Sequence, residues 1–195
     1  MIVKICGITN QEDAAAAVDA GASAIGFNFY RNSPRYISPT GAAMIGEKLP
    51  PGIWKVGLFV NEPADIVARI ALQVGLEVAQ LHGTSEALGI RTWRACNVND
   101  WDVAQEVDAE CCEALLVDAP SDVLYGGTGT TFDWSRVKGI PKKIVIAGGL
   151  DAGNVQEAIE RARPWGVDAC SRIEQAPGLK DHEKMRKFVK AALHS

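Results

Sequence analysis

A short apolar stretch near the amino terminus, IVKICG, carries a lysine in its middle and a cysteine at its end. Side chains alternate along a strand, so Lys4 and Cys6 share one face while Val3 and Ile5 take the other. An ammonium beside a thiol favours the thiolate, a competent base or nucleophile near neutral pH. The plain alternative for Cys6 is a small buried hydrophobe. A thiolate base needs an acid to return the proton. Asp133 offers one, at the end of YGGTGTTFDW (Tyr125–Trp134), where a glycine-rich loop gives way to a helix. The same position suits a helix N-cap.

Three further stretches carry polar chemistry. IAGGL (Ile146–Leu150) places Gly148 and Gly149 where backbone amides can approach an anion, and GVDACSRIE (Gly166–Glu174) supplies Asp168, Ser171 and Arg172. NSPRYISP (Asn32–Pro39) sets Arg35 between two prolines, where a guanidinium can pair with a carboxylate or stack on a ring. His82 follows an apolar run and reads as a polar residue at a strand end.

The elements that must position these residues alternate from end to end. β-type runs fall at Val3–Cys6, Ala24–Phe29, Trp54–Val60, Glu77–Leu81, Thr92–Ala95, Ala114–Val117, Lys143–Ala147 and Val167–Cys170. Helical segments lie between them. Asn10 is placed to cap the first, Pro63 starts another, Asp151 opens Ala152–Arg163 and Asp181 opens the last. Eight such strands with crossovers predict a closed parallel α/β TIM (β/α)8 barrel, as one domain over residues 1–195. The stretch from His82 to Arg91 is too short for an ordinary crossover helix, so that one is expected to be shortened. Sites on such barrels lie at the C-terminal ends of the strands. The residues closing them are Cys6, Asn28, Val60, His82, Asp118, Gly148 and Cys170.

Composition narrows the function classes. The net charge is −4 and the basic residues are dispersed, which gives no footprint for nucleic acid. No apolar run reaches the roughly 18 residues that span a bilayer, and no signal peptide is recognisable, so a cytoplasmic protein with no membrane partner is expected. Five cysteines without regular spacing make neither a disulfide framework nor a zinc site, and no metal is expected. Cys111 and Cys112 are adjacent and bridge poorly, which disfavours a redox sensor built on them.

Taken in order, KICGIT (Lys4–Thr9), GFNFYRNSPRYISP (Gly26–Pro39), VGLFVN (Val56–Asn61), QLHG (Gln80–Gly83), LLVD (Leu115–Asp118), GGTGTTFDW (Gly126–Trp134) and IAGGLDAGNV (Ile146–Val155) resemble the phosphoribosylanthranilate isomerase family. The resemblance implies a (βα)8 enzyme of tryptophan biosynthesis that performs an Amadori rearrangement without cofactor. It makes Cys6 the general base and Asp133 the general acid. It puts Arg35 on the anthranilate moiety, and Gly148 and Gly149, with the loop after the eighth strand, on the phosphate of a small-molecule substrate. His82, Asp168, Ser171 and Arg172 join the substrate-binding set. Burial against Phe132 and Trp134 is expected to raise the Asp133 pKa so that it can donate. Lys4 as the group that readies Cys6 comes from strand parity alone. One departure stands out. Where the family shows serine–serine–glycine–valine–glutamate, this chain has Cys170-Ser171-Arg172-Ile173-Glu174. Competing expectations are a silent sugar-phosphate-binding barrel and the related histidine-pathway aminoaldose isomerase; a monomer or homodimer fits either.

Overall fold

The computed structural model describes residues 1–83, 87, 89–97, 112–119 and 131–194. Cys111 and the Tyr125–Thr131 loop, apart from Thr131, lie outside the described residues. Eight parallel strands close on themselves in chain order: β1 (Ile2–Cys6), β2 (Ala24–Asn28), β3 (Trp54–Val60), β4 (Val78–His82), β5 (Arg91–Asn97), β6 (Ala114–Asp118), β7 (Lys143–Ile146) and β8 (Gly166–Ala169). Closure runs through β8 and β1, where Lys4 pairs with Asp168 and Ile5 with Ala169. The expected barrel is present, with strand ends shifted by a residue or two.

Among the described residues five α-helices cover the outside: α1 (Gln11–Ala20), α2 (Pro39–Gly46), α3 (Ala64–Val74), α4 (Val155–Ala162) and α5 (His182–Leu193). Local chemistry starts them. The Asn10 side chain accepts from the Asp13 amide at 2.8 Å, Ser38 caps α2 ahead of Pro39, and Asp181 accepts from the Glu183 and Lys184 amides. The helix expected from Ala152 begins instead at Val155. Asp151 accepts from the Gly153 amide at 2.8 Å and shapes a turn, which leaves Asn154 at the N-cap position. Between β4 and β5 no helix occurs among the described residues, as the short spacing requires. No helix of the described chain is long and apolar enough to cross a membrane.

Strand parity sorts the side chains into two cores. Val3, Ile5, Ile25, Phe27, Phe59, Leu81, Leu115, Val117, Ile146 and Val167 face outward against buried faces of the helices, including Ala14, Ala17, Val67, Ala158, Met185 and Phe188. The inward set begins, at the N-terminal end, with a plug of Trp54, Trp93 and Trp165, whose ring centroids lie 5.7–6.3 Å apart. Arg91 lies over Trp54 and Lys143 over Trp165, at 5.0 and 4.6 Å from the ring centroids. Above the plug the interior turns polar, and at the C-terminal mouth it opens to solvent.

A feature absent from the sequence reading follows β8. A short 3-10 turn, Ser171–Ile173, leads into an antiparallel hairpin of β9 (Glu174–Ala176) and β10 (Leu179–Lys180). The Pro177-Gly178 pair that turns it, with Gly178 at φ 83°, was the available signal.

Candidate active site

Cys6, Gly7, Asn28, Arg35, His82, Asp118, Gly148, Gly149, Asp168, Cys170, Ser171 and Arg172 line one cavity at the barrel mouth. Its floor is an ion pair. Lys4 reaches up the interior, fully buried, and its Nζ lies 2.9 Å from Asp168 Oδ2. Gly26 makes room for it, since a Cβ there would sit 3.0 Å from Lys4 Cε and from Cys6 Sγ. Burial opposes the charge on Lys4, but Asp168 and Cys6 together outweigh it and its pKa is raised. Burial is also the main influence on Asp168 and lifts it to about 7 against the pull of Lys4. Asp168 Oδ1 is buried and has no hydrogen-bond partner among the described residues.

Cys6 ends β1 in the position that parity predicted, on the Lys4 face. It lies beside Lys4, and Cys170 lines the same cavity next to it. The Cys170 thiol, as donor, is the largest cause that brings the Cys6 pKa well below the ordinary thiol value; burial opposes it, and Lys4 and Lys180 assist. Cys170 is correspondingly pushed up, first by Cys6 and then by burial.

Asp133 departs from the expectation. It is exposed, it N-caps the 3-10 helix Trp134–Val137, and its Oδ1 accepts from the Ser135 amide at 3.1 Å and hydroxyl at 2.8 Å. Those bonds hold its carboxyl below the usual range, the reverse of what an acid donor needs. It does not line the cavity. Trp134 turns inward to the core and leaves its neighbour Asp133 in water. The carboxyl that does line the cavity is Asp118, which ends β6. Burial pushes it up to about 6, Cys6 adds in the same direction, and the hydrogen bond from the Ala119 amide, 2.8 Å long, opposes. Gly148 makes this arrangement possible. At φ 81° its backbone passes so close that a Cβ would stand 2.6 Å from Asp118 Oδ1 and from the Ala119 amide nitrogen.

The rim is built by the loops. Ser33 Oγ accepts from the Asn28 side chain at 3.0 Å and from the Arg35 amide at 3.1 Å, which fastens the proline-flanked loop to the end of β2. The Arg35 guanidinium then forms a two-pronged pair with Glu174, with Nε and Nη2 at 2.7–3.1 Å from its oxygens. Lys180, fully buried, holds the same carboxylate at 2.8 Å. Burial would raise Glu174, but these two cations keep it ionised and low. Sequence reasoning missed Glu174 and Lys180, which the hairpin brings inward. Burial lowers His82 to about 3, so its ring is neutral, and its Nε2 lies 2.9 Å from Gln80 Nε2; with the amide donating, the ring proton sits on Nδ1. Asn154 Nδ2 donates to the Gly149 carbonyl at 2.8 Å and stiffens the glycine turn. Arg172 leans over the mouth and pairs with Asp151 at 2.9 Å. The loops after β7 and β8 are thereby tied together.

Fold and site together define a (β/α)8 barrel whose mouth carries a thiol of lowered pKa and a half-buried carboxyl of raised pKa, the equipment for moving protons on a small bound molecule. Comparison with known proteins narrows this. The family model described as N-(5'phosphoribosyl)anthranilate (PRA) isomerase matches residues 3–191, and the chain belongs to that family. It is 52% identical to N-(5'-phosphoribosyl)anthranilate isomerase of Solibacter usitatus, over 98% of this chain and 97% of that protein. The phosphoribosyl anthranilate isomerase structure from Thermotoga maritima covers 100% of both chains with TM-score 0.89 and 39% identity. A structure of the family enzyme in complex with reduced 1-(o-carboxyphenylamino)-1-deoxyribulose 5-phosphate aligns at TM-score 0.84 and 37% identity, again over 100% of both chains.

Proposed function

We propose that the protein isomerises N-(5'-phosphoribosyl)anthranilate to 1-(o-carboxyphenylamino)-1-deoxyribulose 5-phosphate, with Cys6 as general base and Asp118 as general acid. The observation that carries this reading is the pairing, in one cavity, of a thiol whose pKa is lowered with a carboxyl raised to about 6. Perturbation in opposite directions separates an acid from a base.

Asp118 protonates the furanose ring oxygen as the C1–O bond breaks, and the anilino nitrogen's lone pair forms the C1=N iminium. That cation acidifies the hydrogen at C2. The Cys6 thiolate removes it and the C1–C2 double bond of an enolamine forms; a proton then adds at C1 as the C2 hydroxyl gives up its own, leaving a ketone at C2. Proton transfer of this kind contributes about 10²- to 10⁴-fold for each well-placed group. Asp168 Oδ1, buried and unpaired among the described residues, accepts from a sugar hydroxyl. Arg35, its planar guanidinium oriented by Glu174, faces the anthranilate, and His82 is a neutral hydrogen-bonding group on the wall. Gly148, Gly149 and Ser171 offer the phosphate a cradle of amides and a hydroxyl. Arg172, standing where the family has glycine, adds a cation to that edge.

Turnover followed by the fluorescence of the anthranilate moiety tests the reading. Wild-type protein is expected to convert the substrate, and Cys6→Ser to lose about 10²-fold or more in kcat/KM. Binding without conversion by the wild type would instead mark a silent sugar-phosphate binder.

A further inference from the structure

Beyond its influence on the Cys6 pKa, Cys170 takes no part in the proposed isomerisation, yet the two cysteines stand as a pair. Ile5 and Ala169 are partners across the β1–β8 seam that closes the barrel, so Cys6 and Cys170, the next residue on each side, leave neighbouring chains side by side. Adjacent strands run about 4.8 Å apart, within the Cα separation of about 4.4–6.8 Å that a disulfide spans. Both cysteines line the same solvent-connected cavity. Each has its own ammonium: Lys4 beside Cys6, and Lys180 Nζ 3.8 Å from Cys170 Sγ. Gly7 lets Arg35 and Cys170 pack close to β1's end, since a Cβ there would sit 2.8 Å from Arg35 Cδ and 3.1 Å from Cys170 Sγ.

We propose that Cys6 and Cys170 form a hydroperoxide-oxidisable pair that closes to a reversible disulfide across the mouth of the barrel. The Cys6 thiolate attacks the terminal oxygen of the peroxide. The O–O bond breaks, an alcohol or water leaves, and Cys6 becomes a sulfenic acid. The Cys170 sulfur then attacks the Cys6 sulfur as its proton passes to the departing hydroxide, so the S–S bond forms, the S–O bond breaks and water is released. Two thiols lose two electrons to one peroxide, and a small dithiol reverses the change by exchange. Cys170 is the resolving partner that keeps Cys6 from over-oxidation. The oxidation does not depend on the isomerase reading; only the accompanying loss of turnover rests on it.

Intact-mass and peptide mapping of the full chain after hydrogen peroxide decide the matter. The wild type is expected to lose about 2 Da, to yield a peptide pair linking Cys6 to Cys170, and to regain its mass with dithiothreitol. A variant with Cys96, Cys111 and Cys112 changed to Ser behaves in the same way. Cys170→Ser instead goes on to the sulfinic acid at Cys6, a gain of two oxygens that dithiothreitol does not reverse. Oxygen addition at Cys6 in the wild type without the linked pair would overturn the proposal, as would no reaction at Cys6 or a link to another cysteine. Turnover read on the same samples separates the two claims. Reduced wild type that never turns over ends the isomerase reading, while the mass still decides the thiol pair.

Discussion

Cys6 draws its reactivity from neighbours on two strands. The Cys170 thiol and the Lys4 and Lys180 charges offset a burial that would otherwise keep it a thiol. Removing either support moves its titration upward. In Lys4→Met or Cys170→Ala, the rate of Cys6 alkylation by iodoacetamide should rise at a higher pH than in the wild type, and a superimposable curve would mean that the support is not electrostatic. The carboxyl works in the opposite sense. Asp118 must hold its proton to donate, so kcat/KM is expected to fall as pH rises through about 6 in the free enzyme, and to fall again in acid as the Cys6 thiolate is lost. Much of this was legible in the sequence. Alternation put Lys4 and Cys6 on one face, and the strand-end rule singled out Asp118, His82, Gly148 and Cys170. Asp133, expected as the acid, stands outside the cavity as an N-cap, because FDW reads equally as the entry to a helical turn. Which of Phe132, Asp133 and Trp134 turns inward is decided by packing, and Trp134 does.

At the scale of elements, the rim depends on pieces that carry little chemistry of their own. The β9–β10 hairpin exists to bring Glu174 and Lys180 under Arg35. Neither residue was recognisable in advance, because no period or motif marks a carboxylate that will be shared by two cations from distant segments. Glu174→Gln leaves Lys180 buried beside a neutral amide, and breaking such a pair costs about 3–5 kcal/mol; urea unfolding should show it, together with a raised KM as Arg35 loses its brace. The turn after β7 is equally constrained. Gly148→Ala meets both the unfavourable φ of 81° and the Asp118 carboxylate. The backbone term alone costs about 1–2 kcal/mol, and kcat should fall with stability because Asp118 must shift.

For the whole molecule, chemistry and stability occupy opposite ends of one barrel. The tryptophan plug closes the N-terminal end, while ion pairs and thiols crowd the C-terminal mouth, where burial of charge works against the fold. Trp93→Ala is expected to cost about 3–5 kcal/mol in urea unfolding while kcat in the folded protein changes little. An equal loss in kcat at full occupancy of the folded state would show that the two ends are coupled. The alternation of strand and helix sufficed to foresee this architecture, including the reduced crossover between β4 and β5, because period and spacing are properties of the chain itself. Where α4 begins was not foreseeable to the residue: Asp151 and Asn154 both suit a cap, and the pairing of Asp151 with Arg172 across two loops selects between them.

The central claim is that proton donation belongs to the half-buried Asp118 and not to the exposed Asp133. Side-by-side kcat/KM for Asp118→Asn and Asp133→Asn tests it most directly. The account predicts a loss of about 10²- to 10⁴-fold for the first and a change of less than about tenfold for the second. A severe loss in Asp133→Asn with activity retained in Asp118→Asn would contradict it.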